Sequence, residues 1–87
     1  MSLLTGTVYN GDGRPVDASI SVTENGSPVK NGTATSGNYQ MELVGDKTYE
    51  ITVSAPGYKP TKETVKLDAD KEGATFELVK HFILYKE

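Results

Sequence analysis

The stretch Thr48-Tyr49-Glu50-Ile51-Thr52-Val53-Ser54-Ala55-Pro56-Gly57-Tyr58 decides the fold. Apolar Tyr49, Ile51, Val53 and Ala55 alternate with polar Thr48, Glu50, Thr52 and Ser54. A period of two sends successive side chains to opposite faces of a sheet, so this segment reads as a strand with one core face and one wet face. Pro56-Gly57 ends it, since glycine accepts the positive φ that a sharp reversal needs. The same alternation places Ala18, Ile20 and Val22 inward within Asp17–Thr23, and Tyr39, Met41 and Leu43 inward within Tyr39–Leu43. Thr61–Asp68 continues it more weakly through Val65 and Leu67, and Ala74–Lys80 through Phe76 and Leu78.

Turn signals separate these runs. Asn10-Gly11-Asp12-Gly13-Arg14-Pro15 follows a first strand near Leu4–Tyr9, and Asn25-Gly26-Ser27-Pro28 closes the second. Asn31-Gly32 lies in or beside a short third strand, Val29–Thr35, and Ser36-Gly37-Asn38 precedes the fourth. Gly45-Asp46-Lys47 is expected to join the fourth and fifth strands as a tight hairpin, and Asp68–Gly73 to end the sixth. Helical spacing is nearly absent. Seven short strands with turns every roughly 8–12 residues predict an all-β, seven-stranded Greek-key sandwich, with an SH3-like or OB barrel as the alternative.

Composition narrows the function. Eighty-seven residues make one domain. There is no Cys, so neither a disulfide framework nor a thiolate metal site is available. A net charge of -3 gives no electrostatic case for nucleic acid or an anionic membrane. No run of about 18 apolar residues is present to span a membrane. A domain of this size is stable by roughly 4–13 kcal/mol. A ligand-sized void of ~300 Å³ would cost on the order of 7 kcal/mol. Binding is therefore expected at loops or an outer sheet face.

The segments resemble a known family. Gly6-Thr7-Val8, Gly13-Arg14-Pro15-Val16 and Ala18-Ser19-Ile20 are similar to the opening of carboxypeptidase regulatory-like domains. Thr35-Ser36-Gly37-Asn38-Tyr39 and the Tyr49–Tyr58 stretch resemble their later motifs, and the likeness runs from about Leu4 to Leu78. The resemblance implies a transthyretin-like (prealbumin-like) sandwich. It also implies a non-catalytic accessory module of a larger exported bacterial protein, in the periplasm or outer-membrane-associated cell envelope. Among such modules the closest pattern is that of domains beside peptidoglycan-binding OmpA-like domains. The hallmark residues carried over are Gly6, Pro15, Gly37, Tyr39, Gly57 and Tyr58. Partners implied are neighbouring domains of the same polypeptide, with envelope protein or glycan as the alternative.

Tyr58 is expected to lay its ring over the open end of the sandwich, its hydroxyl reaching backbone. Tyr39 and Tyr49 fall on inward positions, which leaves Tyr9 as the best exposed ring, and one ring makes no sugar-stacking platform.

Site chemistry is sparse. His81 is the only imidazole and Arg14 the only guanidinium, so a catalytic triad, a zinc site or the multi-histidine site of transthyretin-like hydrolases finds too few parts. An internal Lys–Asn or Lys–Asp isopeptide crosslink is disfavoured, because the first strand has no Lys and the last no Asn or Asp. Asp68-Ala69-Asp70-Lys71-Glu72-Gly73 resembles the start of a calcium loop through Asp68, Asp70 and Glu72. Val79 stands where the bidentate Glu belongs, so a solvated acidic turn is the expectation, with no metal or cofactor. Asn25 and Asn31 fit the glycosylation pattern, which turn chemistry alone also produces.

The ends carry two further expectations. Met1-Ser2-Leu3 lacks the basic and apolar regions of a signal peptide and reads as an appended leader before a domain at 4–80. Phe82-Ile83-Leu84-Tyr85, within 81–87, either extends the last strand or adds an eighth. Alternatively it links to a following domain or pairs with a second chain in weak self-association.

Overall fold

The computed structural model describes residues 1–69 and 74–87. Eight strand segments are present among them: β1 (Ser2–Asn10), β2 (Ala18–Glu24), β3 (Ser27–Ala34), β4 (Asn38–Leu43), β5 (Lys47–Ser54), β6 (Thr61–Leu67), β7 (Glu77–Val79) and β8 (Phe82–Leu84). They form two sheets, β4-β1-β7 with β8 also on β1, and β3-β2-β5-β6. The described residues include no helix, and none is therefore long and apolar enough to cross a membrane. The expected all-β, transthyretin-like sandwich is what the sheets build.

Alternation explains the layers. In β5, Tyr49, Ile51 and Val53 are buried while Thr48 is exposed and Glu50, Thr52 and Ser54 are half-buried. β2 and β4 repeat the pattern through Ala18, Ile20 and Val22 and through Tyr39, Met41 and Leu43. These faces meet in one core with Leu4, Val8, Val65, Leu67, Phe82 and Leu84. The outer face of the β2–β5–β6 layer is hydroxyl-rich and charged. There Ser21 faces Thr52 across the strands, and Lys62 pairs with Glu50 at 3.0 Å.

Edges are blunted where they are exposed. β3 carries Pro28 and Lys30 and is almost wholly exposed, and Lys30 Nζ donates to the Glu42 carbonyl of β4 at 2.9 Å. A proline and a reaching lysine on an edge discourage pairing with another chain.

Four expectations are corrected. β4 and β5 lie in different sheets, so Gly45-Asp46-Lys47 is a crossover and no hairpin. The positive φ there belongs to Asp46, at 60°. Gly45 is small for another reason: a Cβ on it would stand 2.7 Å from Ser2 Oγ and 2.8 Å from the Asp68 carbonyl. Second, the first strand begins at Ser2, two residues before the expected start near Leu4. Ser2 and Leu3 pair with Leu43 and Glu42 inside β1, and Ser2 is fully buried.

The third correction concerns the last strand. β7 and β8 both run parallel to β1 in one register, Thr5 opposite Val79 and Val8 opposite Phe82. The predicted Ala74–Lys80 strand is thus shorter at its start, interrupted at Lys80-His81 and continued by the tail. Fourth, Phe82 and Leu84 are core residues at 1% and 0% exposure, so of the proposed contact surface only Ile83 and Tyr85 face out. The tail's edge is also occupied: Lys59 N–H donates to the Tyr85 carbonyl at 2.8 Å and Glu87 N–H to the Gly57 carbonyl at 3.2 Å. Pairing of a second chain on that edge would have to displace both.

Candidate functional site

The hallmark residues converge on packing. At Gly37, φ is 81° and an added Cβ would meet the Pro15 Cβ at 2.7 Å and the Val8 carbonyl oxygen at 2.9 Å. Gly37 and Pro15 are therefore one contact, closing the β3–β4 turn against β1. Gly57, φ 83°, turns the chain after β5, and Tyr58 N–H donates to the Ala55 carbonyl at 3.1 Å. The Tyr58 ring packs against the core as expected. Its hydroxyl meets a side chain instead of backbone, accepting from Asn10 Nδ2 at 3.4 Å. Asn10 is already committed, because its Oδ1 accepts the N–H groups of Asp12 and Arg14, both at 3.0 Å.

Gly6 and Tyr39 explain the break between β7 and β8. In a parallel ladder of this register the Thr7 N–H would bond the Lys80 carbonyl, as Leu3 N–H bonds the Phe76 carbonyl at 2.8 Å. The Lys80 carbonyl instead leans over Gly6 and accepts the Tyr39 hydroxyl at 2.5 Å. Thr7 N–H turns to His81 Nδ1 at 3.2 Å, and Thr7 Oγ1 lies 2.6 Å from the same nitrogen. Because a backbone N–H can only donate, Nδ1 is the bare acceptor and Nε2 carries the proton.

A hydroxyl against an imidazole is the first part of a nucleophile–base pair. Here, however, Nδ1 is shared with a backbone amide. The ring also lies beside Tyr9, centroids 6.2 Å apart.

Tyr39 and Tyr49 are core residues, as their inward positions predict. Burial, and secondarily the charge of Glu63, pushes the Tyr39 phenol far above the ordinary tyrosine value. Burial also raises Tyr49, whose hydroxyl donates to the Val44 carbonyl at 2.7 Å. Both folded-state values lie above the unfolded one, so their contribution to stability is complete below about pH 10 and is lost as pH rises beyond it. The melting temperature is expected to begin falling above about pH 10, and Tyr39→Phe to soften that fall. An alkaline slope identical in the variant would contradict it.

The exposed rings are placed by register. Tyr9 stands opposite Ile83, and His81 opposite Thr7 on the same outer face. Tyr85 lies over Gly11, where a Cβ would come 3.3 Å from its ring. Asn10, Gly11, Asp12, Tyr85 and Lys86 line an open cleft of about 150 Å³ at that corner. Tyr9 is therefore not alone, as the sequence suggested. Period-two spacing of His81, Ile83 and Tyr85 carries part of this signal, while their nearness to Tyr9 depends on strand pairing. A larger open hollow of about 350 Å³ lies among Asp17, Ser19, Thr33, Thr35 and Ser54 at the sheet end.

Of the calcium-loop residues, Asp70 and Glu72 lie outside the described residues. Asp68 accepts the Ser2 hydroxyl through its backbone carbonyl at 3.1 Å. Among the described residues no three His, Cys, Asp or Glu side chains gather to hold a metal.

No curated protein matches the chain. The family model for the carboxypeptidase regulatory-like domain matches residues 4–79. Its span takes in every glycine, proline and tyrosine whose packing is described above up to β7. The filled two-sheet sandwich and this match together assign the chain to the carboxypeptidase regulatory-like domain family.

Proposed function

We propose that the chain is a non-catalytic accessory module of a larger exported bacterial cell-envelope protein, spacing or docking its neighbouring domains. The observation that carries this reading is the filled interior. Gly6, Pro15, Gly37, Tyr39 and Tyr58 are engaged in packing, Gly57 supplies a turn, and the hollows beside Tyr85 and among Asp17, Ser19 and Thr33 open to the surface. Family membership supports an accessory role, the regulatory-like domain being a small β-sandwich module. The elongated shape, 42 × 25 × 15 Å, suits a spacer.

Two measurements test it. Fluorophores on cysteines introduced at Asp12 and Asp46, at opposite ends of β1, should report one narrow distance, in isolation and between flanking domains. A broad distribution, or one that changes with the neighbours, would argue against a rigid spacer. Peptide and ester substrates should show no turnover above background. Hydrolysis abolished by Thr7→Val would make the Thr7–His81 contact catalytic and overturn the reading.

A further inference from the structure

We infer that the outer face around Tyr9, His81, Ile83 and Tyr85 is a binding site for an uncharged oligosaccharide. The inference goes beyond the spacer role and does not depend on it.

The two outer faces of the sandwich differ in kind. On the β2–β5 layer, Ser19, Ser21, Thr23 and Thr52 present hydroxyls with no large apolar side chain among them. The β1–β8 corner presents Tyr85 at 60% exposure and Ile83 at 47%, beside the half-buried Tyr9 and the exposed His81. Tyr9 and Ile83 lie within β1 and β8, and His81 and Tyr85 flank β8 at its two ends. Tyr9 and Tyr85 sit diagonally on adjacent strands, so their roots are separated by roughly 8 Å. Rings rooted that far apart can each offer an aromatic face to a different unit of one oligosaccharide. A sugar ring is amphipathic, with C–H groups on its faces and hydroxyls at its rim, and an aromatic face matches the first of these.

Polar groups stand where the rim would fall. The cleft beside Tyr85 is bounded by Asn10, Asp12 and Lys86, and Gly11 lets the Tyr85 ring lie against the β1 turn. Its volume, about 150 Å³, admits a single sugar unit and is too small for a folded element. The His81 tautomer set by Thr7 N–H leaves Nε2–H as an outward donor.

Charge selects among glycans. Asp12 and Lys86 flank the same cleft with opposite signs, so the corner offers no net field to a polyanion, and the chain as a whole carries -3. An uncharged chain suits it better than an acidic one. Alternation of rings with polar groups also distinguishes this face from the continuous apolar core of a protein–protein interface.

The test uses the intact 87-residue chain, isotopically labelled, titrated with an N-acetylglucosamine tetramer, with maltotetraose and with an acidic hyaluronan tetramer. Expected are amide shifts confined to Gly11, Asp12, His81, Ile83 and Tyr85 with at least one neutral probe, at a Kd on the order of 0.1–1 mM. Tyr85→Ala should weaken that affinity roughly tenfold, the loss of one stacked ring, while Tyr85→Phe retains most of it. The Tyr85 backbone contact to Lys59 survives both changes, and a wild-type melting curve checks this. Asp12→Ala, at an exposed turn, serves as a second variant that leaves the strands untouched. The inference is overturned by silence from both neutral probes at about 10 mM. A stronger response to the acidic tetramer, shifts elsewhere on the molecule, or unchanged binding in Tyr85→Ala would also overturn it. None of these outcomes bears on the distance measurement that tests the spacer role.

Discussion

A chain ending at Lys80 is expected to be unfolded at room temperature. It would contain the whole family match, residues 4–79, and still lack two core side chains. Phe82 and Leu84 are 1% and 0% exposed, and Phe82 lies 6.0 Å from the Tyr39 ring centroid to centroid. Truncating one buried Phe costs about 3–5 kcal/mol and one Leu about 2–5 kcal/mol. Their joint loss is comparable with the roughly 4–13 kcal/mol available to a domain of this size. The bonds from Lys59 to Tyr85 and from Glu87 to Gly57 go with them. Phe82→Ala alone should lower the melting temperature by roughly 12–40 °C, at about 4–8 °C per kcal/mol for a small domain. Thermal unfolding followed by circular dichroism decides the matter. A cooperative transition in the truncated chain, within a few degrees of the full one, would show that β8 is dispensable.

Gly6→Ala is expected to be nearly as damaging, although it adds only one methyl group. Its Cβ would stand 1.9 Å from the Lys80 carbonyl oxygen and 2.7 Å from the carbonyl carbon. That neighbour is backbone, so no rotamer change relieves the overlap, and the last strand must move off β1. The displacement takes the Lys80 carbonyl from the Tyr39 hydroxyl, leaving that part-buried hydroxyl without its partner, and takes the exposed His81 from Thr7 N–H. A cost of at least about 3 kcal/mol follows from the overlap and the lost bonds together. Gly13→Ala is the informative contrast. Gly13 has φ 79° with open space around it, so only the left-handed backbone penalty applies, about 1–2 kcal/mol. Equal losses in chemical denaturation for the two variants would refute the steric account.

Residue 6 also shows how far sequence reading reached. Gly6 is visible in the sequence as part of a family motif, but the reason for it is a carbonyl 74 positions away. The same holds for the tail. The run Phe82 to Tyr85 is legible as an apolar, strand-prone segment, yet whether its even or its odd set is buried depends on its pairing with Val8 and Asn10. Gly45-Asp46-Lys47 has hairpin chemistry and makes a crossover, because turn residues report a reversal of direction and say nothing of which sheet the next strand joins. Tyr9 is a single ring in the sequence. In the fold it acquires His81, Ile83 and Tyr85 as neighbours, so the candidate site was the least legible part.

The amino-acid order by itself determined the strands, their inward faces and the family, because these rest on local patterns: side chains alternate every two residues and turns need particular backbone angles. Tertiary structure alone decided the register of the last strand on the first, the role of Ser2 and Phe82 in the core, and the grouping of exposed rings. Those depend on contacts between residues more than 40 positions apart, and no local pattern encodes which of two distant strands will lie side by side.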